Sequence, residues 1–194
     1  MQQALVFVGI GALVILIGVI MVDRGFTHTS DNEIIVPMES SLMLSSTAFL
    51  NSASIPVQYT CDGVEVSPPL TITGAPEGTK SFAIVVEDPD VPKLLKPDGL
   101  FLHWIVFNIP AHVTEIIEGA TVGVVGANET GKNSYIGPCP PQQYEPSEHR
   151  YIFTLYALDI ELPLVAGAPK KNVMNAMQGH ILAQTQLIGK YKRR

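Results

Sequence analysis

Two short stretches hold most of the side chains in this chain that could do chemistry. In the first, Asp88-Pro89-Asp90-Val91-Pro92, two carboxylates stand among two prolines, and His103 follows at the mouth of an apolar run. The second, Gly137–Tyr151, contains Gly137, Pro138, Cys139, Pro140, Pro141, His149 and Tyr151. Asp88 and Asp90 supply hydrogen-bond acceptors, and His103 and His149 supply imidazoles that can donate. Gly137 lets a backbone N–H approach a ligand oxygen closely. The prolines stiffen that loop, and Tyr151 offers an aromatic wall with a hydroxyl. This set suits a small oxyanion such as a phosphate, a carboxylate or a phospholipid headgroup, with Asp88 facing any amine on the same ligand. A neighbouring aspartate would raise an imidazole's pKa and favour its charged form. The plainer alternative is an Asp that only caps a turn before proline and an imidazole–carboxylate pair that is satisfied and buried.

Two rival chemistries use the same residues. Asp88, His103 and His149 could act as acid and base with Cys139 as nucleophile, a hydrolase-type enzyme. No serine sits in a nucleophile elbow, however, and Cys139, flanked by prolines, has no base assignable from the sequence. A metal site of Cys61, Cys139, His103 and His149 would lack the close ligand pairs of structural zinc sites. The expectation is therefore a non-catalytic binding module with no metal and no cofactor.

The elements that must position these residues read as strands. Phe82–Glu87 and Trp104–Ile109 are short apolar runs rich in β-branched residues, and the proline-containing DPDVP segment must leave the sheet at its rim. Leu42–Leu50, Ile55–Thr60, Pro69–Ile72 and Tyr151–Leu158 complete the strand signals. Neighbours on a strand face opposite sides, so Arg150 points away from His149 and Tyr151, into a surface salt bridge. Short strands divided among 16 glycines and 15 prolines predict an antiparallel sandwich. Val173, Met177, His180, Ile181, Gln184, Leu187, Ile188 and Tyr191 recur at steps of three and four, which predicts a C-terminal amphipathic helix of about 20 residues with Asn172 as N-cap. His180 is then a core-edge histidine rather than a ligand.

The two stretches, DPDVP with HWIVFNIP and then GPCPPQQYEPSEHRY, resemble the paired signatures of the phosphatidylethanolamine-binding proteins, also called Raf-kinase-inhibitor-like proteins. YTCDGVEVSPPL at Tyr59–Leu70, GTKSF at Gly78–Phe82, YALDIEL at Tyr156–Leu162 and MQGHILAQTQLIGKY at Met177–Tyr191 match in the same order, closest to the bacterial and archaeal branch. The resemblance implies two packed sheets in a Greek-key arrangement with peripheral helices. It also implies a ligand site of Asp88, Pro92, His103, Gly137, Pro138, His149 and Tyr151, and inhibition of kinases or proteases through a protein partner. Phe101 stands where animal members have tryptophan, and the spacer from Pro141 to His149 is longer than theirs.

The 194 residues carry a formal charge of −6 and a pI near 5.3. Phosphate contact needs clustered Lys and Arg, so a nucleic-acid partner is not expected. The basic cluster Lys190, Lys192, Arg193 and Arg194 reads as favourable charge at a helix end. The glycine-rich segment Gly119–Tyr135 lacks the serine or threonine that must follow the lysine of a phosphate-binding P-loop, since Asn133 comes after Lys132. Asn128-Glu129-Thr130 within it fits the N-glycosylation pattern.

Ala4–Val22 carries no charge and, at about 1.5 Å per residue, would span ~28 Å as a helix, the thickness of a bilayer core. No Lys or Arg precedes it, and Met21-Val22-Asp23-Arg24 is a poor cleavage site, so it reads as an uncleaved anchor rather than a signal peptide. The expected organisation is a transmembrane anchor over 1–24, a polar linker over 25–41 and the binding domain over 42–194. The protein would then be single-pass with its domain extracytoplasmic. Cys61 and Cys139 are bridged if that placement holds, and are otherwise two buried thiols.

Overall fold

The structure, a computed structural model, describes residues 42–193. The expected anchor and linker lie outside the described residues. Among the described residues, no helix is long and apolar enough to cross a membrane.

Among the described residues, nine strands and one α-helix follow in order: β1 (Met43–Ser45), β2 (Ala53–Ser54), β3 (Leu70–Thr73), β4 (Ser81–Asp88), β5 (Phe101–Pro110), β6 (Glu115–Ile116), β7 (Val124–Val125), β8 (Glu148–Leu158), α1 (Lys170–Met177) and β9 (Ile181–Lys192). They form a three-stranded sheet, β1-β3-β6, and a six-stranded sheet, β2-β9-β8-β4-β5-β7. The wholly antiparallel expectation needs one correction: β2 runs parallel to β9 while the other pairs are antiparallel. Ile55, just beyond β2, lies on Gly189 of β9, where a Cβ would meet the Ile55 side chain at 2.4 Å. Glycine in that strand is what lets the two elements approach. Val57–Tyr59 is a 3-10 turn rather than a strand.

The central strand β4 is an unbroken apolar run because both of its faces are covered. Phe82, Ile84 and Val86 enter the core between the sheets, alongside Ile72, Trp104, Phe153 and Leu155. Ala83 and Val85 enter a second core with Phe107, Leu158, Leu162, Val173 and Met177, beneath α1.

The C-terminal helix is the main correction. The helix is eight residues long, starts after Pro169 rather than Asn172, and stops at Gln178. Gly179, at φ +80°, then turns the chain into β9. Val173 and Met177 are indeed buried one helical turn apart, but beyond Gly179 burial follows a period of two, with Leu187, Gly189 and Tyr191 inside. A period of three to four residues carried across that glycine had joined a helix face to a strand face. His180, in the turn between them, pairs with Asp159 at 2.8 Å on the surface.

Candidate functional site

Three strands deliver their side chains to one rim of the large sheet. On β8 the alternation Ala157, Leu155, Phe153, Tyr151 faces the inter-sheet core, and His149 is the next residue on that face. On β4 the series Phe82, Ile84, Val86 continues to Asp88. On β5 simple alternation would send His103 to the opposite face from Trp104. The pairing steps instead from Val86↔Trp104 to Glu87↔Leu102, which makes His103 the extra residue of a β-bulge. Leu102 thereby enters the second core while His103 joins the hollow at the rim. Bulges commonly re-aim a side chain in this way beside a functional site.

The DPDVP loop is fastened to β8 from both sides. Asp88 Oδ2 lies 2.7 Å from His149 Nδ1, with both side chains buried. The Asp90 N–H donates to Asp88 Oδ1 at 2.8 Å. On the outer face the Arg150 side chain donates to Asp90 from Nε at 2.8 Å and Nη2 at 2.6 Å, and the Arg150 backbone N–H adds a third bond at 2.9 Å. The expected surface salt bridge of Arg150 thus has a definite partner. His103 is held by a reciprocal pair: its Nδ1 donates to the Ile136 carbonyl at 2.8 Å, and the Ile136 N–H donates to the His103 carbonyl at 3.0 Å. Its ring lies between Phe101, 4.8 Å away, and Tyr151, edge-on at 5.1 Å.

These surroundings set the charges. Burial raises the Asp88 carboxyl above its ordinary value, and the hydrogen bond from His149 opposes the shift. The Arg150 guanidinium holds Asp90 low. Burial pushes His103 down to about 4, so it is neutral at pH 7. The expectation that an aspartate would favour charged imidazole does not extend to His103, because Asp88 pairs with His149 instead. The Tyr151 phenol is raised by burial, with Asp88 adding to the shift and the nearby Cys139 backbone opposing it. Among the described residues, His149 Nε2 is buried with no hydrogen-bond partner, and the buried Tyr151 hydroxyl has none of good geometry, the Cys139 backbone being its nearest polar neighbour.

Asp88, His103, Gly137 and His149 line one open cavity of about 370 Å³, together with Val91, Leu95, Lys96, Phe101, Glu129, Ile136, Cys139 and Pro141. Tyr151 sits behind His103. Pro92 and Pro138 brace the loops rather than line the cavity: the Pro92 carbonyl accepts from Leu95 and Lys96, and the Pro138 carbonyl accepts from Cys61. Gly137 plays a different part from the one expected. Its N–H donates to Glu65 Oε1 at 3.1 Å and is not offered to a ligand. A Cβ there would lie 2.8 Å from the Tyr59 carbonyl oxygen, so close packing of two backbones requires the glycine.

Cys61 and Cys139 are bridged, with their Cα atoms 5.5 Å apart. Neither sulfur is therefore a thiolate available to attack a substrate or to ligate a metal. Asn128 is buried, its amide donating to the Ser134 carbonyl at 2.8 Å while its oxygen accepts from the backbone N–H groups of Thr130 and Lys132. The glycosylation pattern thus coincides with an amide that closes its own loop.

Sequence reasoning missed Lys96 and Glu129, which meet at 2.9 Å in the cavity wall, with Asp98 also 2.9 Å from the Lys96 ammonium. Lys96 was within reach of the sequence, as a cation between Pro92 and His103. Glu129 was not, since only the fold brings the glycine-rich segment to this rim.

A family model described as phosphatidylethanolamine-binding protein matches residues 45–192. A UPF0098 protein of Chlamydia pneumoniae is 45% identical over 153 residues, covering 78% of this chain and 99% of its own length. Another UPF0098 protein, from Methanothermobacter thermautotrophicus, is 42% identical over 157 residues, covering 77% and 98%. Among solved structures, a phosphatidylethanolamine-binding protein homolog from Chlamydia trachomatis superposes with a TM-score of 0.76 at 41% identity, covering 80% of this chain and 100% of its own. YbcL of Escherichia coli, described as a new member of the mammalian PEBP family, superposes with a TM-score of 0.70 at 29% identity, covering 79% and 99%.

Proposed function

The chain belongs to the phosphatidylethanolamine-binding protein family, and from that premise we propose that it is a non-catalytic binding module whose cavity takes a small oxyanion: a phosphate, a carboxylate or a phospholipid headgroup. One observation carries the reading. Asp88 and His103 from one stretch, and Gly137 and His149 from another far along the chain, converge on a single cavity, and Lys96 adds a cation to its wall. The hydrolase alternative loses its nucleophile, because Cys139 is bridged to Cys61. The test is calorimetric titration with phosphate, phosphoethanolamine and acetate. Asp88→Ala and His149→Ala should each weaken binding at least tenfold while the domain still melts cooperatively. Unchanged affinity in both variants would remove the site.

A membrane tether through Ala4–Val22 and a regulatory protein partner complete the proposal. The Cys61–Cys139 bridge favours an oxidising compartment for the domain. Protease digestion of intact cells tests that placement, and full protection of the domain would reverse it.

A further inference from the structure

The two sheets protect their edges unequally. An unpaired strand edge invites a second strand, and keeping edge strands short is one protection against it. The outer strands β1, β6, β2 and β7 follow that rule, with three, two, two and two residues. β9 does not. It has 12 residues, and β2 pairs only with Gly189 and Lys190. Ile188 turns its N–H to the Asn51 side chain at 2.9 Å and its carbonyl to the Ser52 N–H at 2.6 Å, on the side away from β8. Main-chain groups alternate in direction along a strand, so the N–H and carbonyl of Gln186 and Gln184 face the same outer side. Among the described residues, nothing pairs with them there. An open edge therefore runs over 181–187, with one irregularity, a bulge opposite Ala157 and Leu158, at its start. Residues 181–189 contain no charged side chain and no proline, the other usual protections. Ile181 and Leu182 are 41% and 40% exposed.

We propose that this edge is a homodimer interface, in which β9 of one copy pairs antiparallel with β9 of a second copy and joins the two large sheets into one. The open stretch is complementary to itself. With Gln184 on a two-fold axis, each Gln184 donates its N–H to the carbonyl of its counterpart, and Gln186 of each copy lies opposite Leu182 of the other. In that register the partner strand begins at Ile181 opposite Leu187, one residue short of the place where Asn51 and Ser52 close the edge. The open edge thus matches its own copy from end to end. Charge points the same way. The chain carries −6, so two copies repel over much of their surface, and this register sets no charged side chain of 181–187 against its equal. The Gln186 amide donates to Thr154 Oγ1 at 3.2 Å, which leaves its side-chain oxygen free to accept across the junction. Glutamine side chains on paired strands extend the main-chain pairing in this way. The rim cavity lies at the other end of β9, where Tyr191 pairs with His149, so both cavities stay open. The dimer forms whatever those cavities bind.

The experiment is sedimentation of the full-length protein in density-matched detergent, with Gln184→Lys and Gln184→Glu run singly and as an equal mixture. The wild type should be a dimer. Each variant sets like charges against each other at the axis, which should weaken dimerisation by about tenfold or more. The mixture sets opposite charges there and should restore the dimer. Gln184 is exposed, and thermal melts check that each variant folds. A second readout needs no variant: amide hydrogen exchange of the wild type at rising concentration, in which the Gln184 and Gln186 N–H groups should slow by about tenfold as the dimer forms. A wild type that stays monomeric at its highest soluble concentration would overturn the proposal. A dimer that survives in both variants would overturn it too, since another surface would then hold the copies together. So would a mixture that stays monomeric, or exchange at Gln184 and Gln186 that ignores concentration.

Discussion

Arg150 grips Asp90 with two guanidinium nitrogens and its own backbone N–H, on the face of β8 opposite the one that carries His149 to Asp88. One strand therefore holds both carboxylates of the DPDVP loop, one from each side. Arg150 is half-exposed, which limits the energy of the ion pair itself to about 1 kcal/mol or less. Its value lies in where it fixes the loop. Arg150→Ala should leave the melting temperature nearly unchanged yet weaken phosphoethanolamine binding severalfold, although Arg150 does not line the cavity. A double-mutant cycle with Asp90→Ala, repeated in high salt, checks this. Full additivity of the two changes in binding would show that the grip does not position the loop.

His103 links stability to pH. Its imidazole titrates near 6.5 when unfolded and near 4 when buried. Between those values the unfolded chain binds the extra proton, so stability falls as pH drops through that window, by about 3 kcal/mol across it. Urea unfolding at pH 7 and at pH 5 should show the loss, and His103→Gln should remove that part of it. An equal loss in the variant would place the pH dependence elsewhere. The Asp88 carboxyl, raised by burial, acts in the opposite sense and favours the fold as it becomes protonated.

Most of this arrangement was legible in residue order, and the parts that were not share a physical cause. Strand faces follow from alternation, so the joint placement of Asp88, His149 and Arg150 could be read from β4 and β8 once each run was recognised. His103 defies that rule, because a bulge is a register event between two strands and one strand's sequence does not reveal it. The helix carried past Gly179 failed because β9 satisfies both periods over a short window, and its pairing with β8 along nearly its whole length decides the outcome. Glu129 and Glu65 reach the site by tertiary approach alone.

Gly137 separates the two explanations for a glycine beside a ligand site. If it served ligand approach, Gly137→Ala would lower affinity and leave the fold alone. The geometry requires the reverse order of effects, because the new Cβ would lie 2.9 Å from Thr60 main-chain atoms, which cannot move aside as a flexible side chain would. Overpacking of this kind costs about 1–3 kcal/mol. Thermal melts of Gly137→Ala should show a clear drop even without ligand, and an unchanged melting temperature would contradict the packing role.

The Cys61–Cys139 bridge ties stability and the cavity wall together. Cys139 lines the cavity, and Cys61 precedes Asp62, which accepts from Tyr191 at 2.8 Å and from Arg193 at 3.0 Å at the end of β9. The bridge therefore anchors the wall to a turn that is itself anchored to the large sheet. It spans a sequence separation of 78 residues, for which loop-closure entropy in the unfolded chain corresponds to about 4 kcal/mol. Cys61→Ser with Cys139→Ser should lower the free energy of unfolding by roughly 2–4 kcal/mol. The Asp62 contacts and the Gly137–Glu65 hydrogen bond remain in that variant, so it should still fold, with a looser wall and a severalfold weaker affinity for phosphoethanolamine. Unfolding by urea with and without reductant, alongside thiol labelling of the native protein, tests each step. Two labelled thiols in the oxidised protein would show that the bridge is not formed. A melting curve indifferent to reductant would show that it does not constrain the chain.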